Sequence, residues 1–228
     1  IVAITQKIAD REGFGAVLAN GVKIAAEKIG KGAEEYAIHI GGQELPMHDP
    51  RFTPGLALTY HLEATPGRHT QGGELIAPPS GLDFDSYDRA EYAGRGEDQK
   101  KLVNMMHVIN AAGLCMFGYI SYDAKLVPEF LTAVTGWEWS MDDVLEAGER
   151  IANLRRLFNL REGATPVEWK VPKRMLGHPP LTEGNIKGIS LDDKTMTLEF
   201  LAAMDWDPET MRPSEAKIKQ LGLEELNV

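Results

Sequence analysis

An all-α, multihelical fold with at most one or two short strands and long ordered loops is what this sequence of 228 residues predicts. Three observations carry that expectation. Apolar residues recur at helical spacing in segment after segment, helix start and stop signals bracket those segments, and only residues 36–40 alternate, weakly, in the manner of a strand. Residues 1–10 read as the last turns of a helix, and 14–29 as another, with Phe14, Val17, Leu18, Val22, Ala25 and Ile29 on one stripe and Gly30 as its stop. After the short strand, residues 41–52 form an ordered loop. Thr53-Pro54 opens a helix through Leu62 that ends by Pro66-Gly67, and a second loop, 67–73, carries His69.

Residues 78–85 read as a polar connector and 87–95 as a short helical piece. The stretch 99–119 follows, and the remaining elements are arranged around it. Between Leu102 and Leu114 apolar side chains occupy nearly the whole circumference, so this helix belongs in the interior. Asn104, His107 and Asn110 recur every third position, and Cys115 nearly repeats the direction of Asn104, so a helix running through them would aim four ligand-capable groups across one sector. Gly113 interrupts or ends that helix, which would free the amides around Leu114 and Cys115 to point away from the preceding turn. Further on, 127–134 is helical with Pro128 near its start. Ser140 caps the clearest helix in the chain, with Val144, Leu145, Ala147, Ile151, Leu154, Leu157 and Phe158 inward, Arg150, Arg155 and Arg156 outward, and Gly163 closing it. Residues 164–190 are irregular, and helices return at 193–204 and, after a Ser214 cap, up to Leu221.

A formal charge of −10, with no basic patch beyond the small cluster Lys170, Lys173 and Arg174, argues against nucleic acid as a partner. No apolar run approaches the roughly 18 residues of a membrane span, so a soluble chain without membrane association is expected. The single cysteine excludes an intramolecular disulfide and fits a reducing, cytoplasmic setting. The chain starts at Ile1 within a helical pattern, which suggests a piece of a longer protein.

His48, Asp49, His61, Glu63 and His69 are side chains of the kind that bind zinc or iron, but their spacing matches no metal motif. Surface and packing histidines are the plainer reading; a mononuclear zinc or iron hydrolase built from His48, His61 and His69 is the sharper alternative. His107, alone on an apolar helix, reads as a hydrogen-bonded core residue. Cys115 by itself reads as a small buried hydrophobe, and a four-cysteine cluster would need three thiolates that the chain lacks. No phosphate loop or Ser/His/Asp triad can be recognised.

Five segments, taken together, resemble the carboxy-terminal part of the tungsten- or molybdenum-pterin aldehyde ferredoxin oxidoreductase family. They are ELPMHDPR (44–51), the glycine-histidine loop 66–74, NAAGLC (110–115), GERIANLRRLFNLREG (148–163) and the ending 204–223. The resemblance implies that 1–45 close a second helical domain and 46–228 form a third, with an amino-terminal pterin-holding domain before Ile1. It implies Cys115 as the fourth ligand of a 4Fe-4S cluster, and Asn110, Gly113, Leu114 and Cys115 as a loop contacting one pterin of a tungsten or molybdenum bis-pterin. Asn110 stands where the family's motif has aspartate, which loses a charge and adds donors. His69 would sit beside the metal, placed to donate to a substrate carbonyl or assist water attack. The implied activity is oxidation of aldehydes, or other carbonyl substrates, to carboxylic acids, with electrons leaving through the cluster to ferredoxin. The implied partners are the preceding domain of the same protein, ferredoxin and, as homodimer, a second copy. The fragment alone should be inactive. The competing expectation is a non-catalytic helical module that uses the same scaffold for binding or dimerisation.

Overall fold

Helix α5 (Gly96–Ala111) passes between two hydrophobic clusters, as a segment without a polar stripe requires. The computed structural model describes residues 1–72, 81–83 and 92–226, and every residue from 102 to 109 is buried in it. Val103 faces a cluster built with α4 (Gly55–Leu62), α9 (Asp193–Met204) and Trp206. Leu102, Met105, Met106 and Ile109 face a second, made with Tyr119, Val127 of α7 (Leu126–Thr135) and Val144 of α8 (Met141–Arg161).

Glycines set two close crossings of α5. A Cβ on Gly148 of α8 would lie 1.9 Å from the Asn104 carbonyl oxygen, and one on Gly96 would lie 2.5 Å from the Glu199 carbonyl oxygen in α9. The backbones therefore touch, and the helices interlock at interior density.

Helix starts obey the capping chemistry of their sequences. Ser140 Oγ accepts from the Asp143 amide at 3.1 Å, and the Asp143 carboxylate accepts from the Ser140 amide at 2.8 Å, a complete capping box on α8. Asp192 caps α9, and Ser214 caps α10 (Glu215–Gln220).

Several expectations need correcting. The helix expected over 14–29 is broken into α2 (Phe14–Leu18) and α3 (Gly21–Ile29), because Gly21 adopts φ +84°. The strand shrinks to β1 (His39–Ile40), paired antiparallel with β2 (Gln43–Glu44) so that His39 faces Glu44, and a 3-10 turn occupies Ala33–Tyr36. Apart from 81–83 and 92–95, the connector over 78–85 and the helical piece over 87–95 lie outside the described residues, as do Gly73 and Glu74.

The largest correction concerns α8. Arg156 is 1% exposed, whereas Leu154 and Phe158 are 41% and 50% exposed. The Arg156 guanidinium lies 4.5 Å over the Trp206 ring and donates to the Leu62 carbonyl. Burial pulls its pKa down to about 10, with Glu63 opposing the shift. Its neighbours continue the polar seam. Trp206 Nε1 donates to Asn153 Oδ1 at 2.8 Å, and Glu149 Oε1 lies between Lys217 Nζ at 2.8 Å and Lys100 Nζ at 3.1 Å, tying α8 to α10 and α5.

Gly148→Ala should destabilise the protein by about 1–3 kcal/mol or more, because the new methyl meets backbone and no flexible side chain can yield. A lower urea midpoint with unchanged m-value checks this.

Candidate active site

The first wall of the site comes from α4. Its Tyr60 hydroxyl donates to the His48 carbonyl at 2.9 Å, and its Tyr60 carbonyl accepts from the Gly67 amide at 2.9 Å. One residue thus pins both the 45–53 segment and the start of the His69 loop. Within the first of these, Arg51 grips Asp49 with Nε at 3.0 Å and Nη2 at 2.6 Å, a bidentate pair that stiffens the turn after His48. The two segments then meet through their imidazoles, with ring centroids of His48 and His69 4.6 Å apart.

The floor beneath the loop is tightly built. A Cβ on Gly72 would approach Thr59 Oγ1 to 2.7 Å and Glu63 Oε1 to 2.8 Å, so only glycine lets the loop settle there. Gln99 of α5 donates to the Gly72 carbonyl at 3.3 Å and to Thr59 Oγ1 at 3.4 Å. Below lies a charged group that sequence reading missed. His107 Nε2 lies 3.3 Å from Glu63 Oε2, close but without the alignment of a well-formed hydrogen bond, and Arg155 Nη1 lies 3.4 Å from His107 Nδ1. With Arg155 donating to Nδ1, the ring proton sits on Nε2 and faces the carboxylate. Burial alone would raise the Glu63 pKa; His107, Arg155 and Arg156 outweigh it, and the net shift is downward. His107 is therefore a partnered core residue, as its apolar helix suggested.

The other side of the site is the end of α5. Asn110 Nδ2 donates to the Thr70 carbonyl at 3.0 Å and to the Met106 carbonyl at 2.7 Å, which brings the His69 loop against the NAAGLC stretch. The helix stops at Ala111, earlier than 114. Gly113 takes φ +71°, its amide donates to the Asn110 carbonyl at 3.3 Å, and the Leu114 amide donates to the Ile109 carbonyl at 3.0 Å, which is a Schellman termination. Of the amides expected to point away from the preceding turn, that of Leu114 is spent on it. Cys115, beyond the glycine, does not share a helical face with Asn104, His107 and Asn110. Cys115 is exposed at the start of α6 (Met116–Tyr119), contrary to its reading as a buried hydrophobe. Phe117 and Ile120 beside it are 72% and 71% exposed.

His61 points elsewhere. It is buried near Arg156 and the backbone of Pro166 and Trp169, and neither ring nitrogen has a well-formed hydrogen bond among the described residues. Among the described residues no three His, Cys, Asp or Glu side chains are grouped to hold a metal, so the His48, His61, His69 site does not form.

Residues 1–223 match the family described as aldehyde ferredoxin oxidoreductase, domains 2 & 3. The chain belongs to the aldehyde ferredoxin oxidoreductase family. Tungsten-containing aldehyde ferredoxin oxidoreductases of Pyrococcus horikoshii and Pyrococcus furiosus are 38% identical over 223 residues and 33% identical over 227; each match covers 96% of this chain. The chain spans 36% of the length of these relatives and corresponds to their carboxy-terminal region. A solved structure titled active site complex BamBC of benzoyl coenzyme A reductase in complex with 1,5 dienoyl-CoA shares the fold. Its TM-score is 0.66 at 21% identity, covering 98% of this chain and 38% of that one.

In this aldehyde ferredoxin oxidoreductase region two buried groups set a pH dependence. Burial, then the Arg156 charge, lowers the His61 pKa from 6.5 to about 4. Between those values the unfolded chain takes up a proton that the folded chain refuses, so stability falls as pH falls, by about 3 kcal/mol across the window. His61→Leu should remove about 1.4 kcal/mol per pH unit of that slope in urea titrations between pH 4 and 6.5. Glu63 acts in the next window down. Its lowered pKa makes its contribution complete above the unfolded value and lost as pH falls through the folded one.

Proposed function

We propose that this chain is the carboxy-terminal part of an enzyme that oxidises aldehydes to carboxylic acids and passes the electrons through a 4Fe-4S cluster to ferredoxin. The observation that carries the reading is the meeting of the His69 loop with the end of α5, one short turn before an exposed thiol.

The residues fit the groups that this function requires. Cys115 is presented outward on a reversed turn, as a ligand to a shared cluster must be, and the other three thiolates would come from the preceding part of the chain. Asn110 turns its amide hydrogens inward, which leaves Oδ1 as an acceptor for a pterin N–H. When bound, a tungsten or molybdenum bis-pterin supplies a two-electron sink, and the cluster takes those electrons onward one at a time.

The chain's own residues do the rest. His69, oriented by His48 and by the anchored loop, holds or moves a proton at the substrate carbonyl. The apolar side chains of Phe117 and Ile120 around Cys115 give the preceding domain a surface to cover, which would exclude water from the cluster. Residues 1–45 close the second helical domain and 46–228 make the third: α1 (Val2–Ala9) packs on α2 and α2 on α3, and among the described residues only the end of this stretch, Ile40 and Leu45, reaches the main core. The exposed cations Lys170, Lys173 and Arg174 offer an acidic ferredoxin a docking patch. On this reading the isolated fragment is inactive.

In the full-length protein, Cys115→Ser should lose or convert the cluster, read as a changed EPR spectrum and reduced iron. His69→Ala should keep tungsten or molybdenum and iron while kcat falls about 10²- to 10⁴-fold. Full-length protein that lacks all three metals after growth in their presence, or His69→Ala with wild-type kcat, overturns the assignment.

A further inference from the structure

The side chain of Asn110 makes two donations, to the Met106 carbonyl at 2.7 Å and to the Thr70 carbonyl at 3.0 Å. The reversed amide would press Oδ1 against two carbonyl oxygens, so the orientation follows from the surroundings. Met106 lies one turn back on α5; Thr70 is the residue after His69. A single amide thus bridges the end of the buried helix and the loop that carries the imidazole. The loop is also held at its entry by the Gly67 amide on Tyr60 and at its far end by Gln99 on the Gly72 carbonyl. Between those anchors, the bond to Thr70 ties the loop to the turn that presents Cys115.

We propose that Asn110 is a positioning residue whose amide latches the His69 loop to the end of α5, so that the histidine and the Cys115 turn keep a fixed relation. Aspartate cannot do this. It has no hydrogen to donate, and it would set a carboxylate against two carbonyl oxygens at hydrogen-bond distance. Asparagine at this position is a functional choice for loop geometry, separate from any acceptor contact that Oδ1 makes with a cofactor. Only the effect of the latch on turnover rests on the function proposed above.

The test uses the full-length holoenzyme with Asn110→Asp and Asn110→Ala. Asn110 is exposed at a helix end, so both variants should fold. Amide exchange across 66–72 should accelerate about tenfold in both, the effect of losing one net hydrogen bond. Metal content and the cluster EPR spectrum of Asn110→Asp should match wild type while kcat falls. In a His69→Ala background, Asn110→Asp should cost nothing further, because the latch acts through that imidazole. Unchanged exchange in both variants overturns the latch, and so does an additive loss in the double variant. If the wild-type protein holds no metal and shows no turnover, the proposed function fails, and the exchange rates alone still decide the latch.

Discussion

Gly148 allows the backbone of α8 to touch that of α5 at Asn104, and the arrangement of the functional end follows from that contact. One turn further along α5, His107 arrives opposite Arg155, two turns along α8 from the glycine, and Glu63 closes the group from the end of α4. Another turn brings Asn110 under Thr70. A methyl at position 148 would push the helices apart by more than any of these contacts could follow, so the spacing of two backbones governs side-chain chemistry more than one turn away. The loops are ordered because the helices beneath them are.

The interior that supports this is unusually polar. Arg156, Glu63, His107, Glu149 and Asn153 are all buried, and most are tied by bonds that cross from one element to another. Such groups contribute little net stability, since desolvation offsets most of their attraction, yet removing one partner from a buried pair costs about 3–5 kcal/mol. Their effect is on register. A helix packed only through leucine and methionine can slide or rotate at small cost, whereas Arg156 reaching the Leu62 carbonyl and Glu149 reaching two lysines allow α8 a single position.

Much of the helical frame was legible in the sequence because it rests on local chemistry. The Ser140 cap, the glycine stops and the all-round apolar run of α5 each act within a few residues. The break at Gly21 was not legible, since residues 14–29 keep their apolar spacing and only the backbone angle reveals the turn. Arg156 reads as a surface residue by type and by its neighbour Arg155; its burial depends on Trp206 and Leu62, which are distant in sequence. At the site, the nearness of NAAGLC and the His69 loop came from family resemblance and not from spacing, and the structure brings the two together through one side chain. The Glu63, His107 and Arg155 group spans 93 positions, and nothing local announces it. The only advance signal was negative: a polar residue on a helix with no polar face must find a partner.

The Schellman turn at Gly113 has a mechanical consequence. It ends the rigid rod of α5 with its carbonyls satisfied and passes the chain through a left-handed residue that has open space around it. The sulfur that follows leaves the helix axis at a turn whose two amides are both bonded back to α5. On the function proposed above, the last ligand of the cluster would thus be held by the turn itself and not by the packing around Met105 and Ile109.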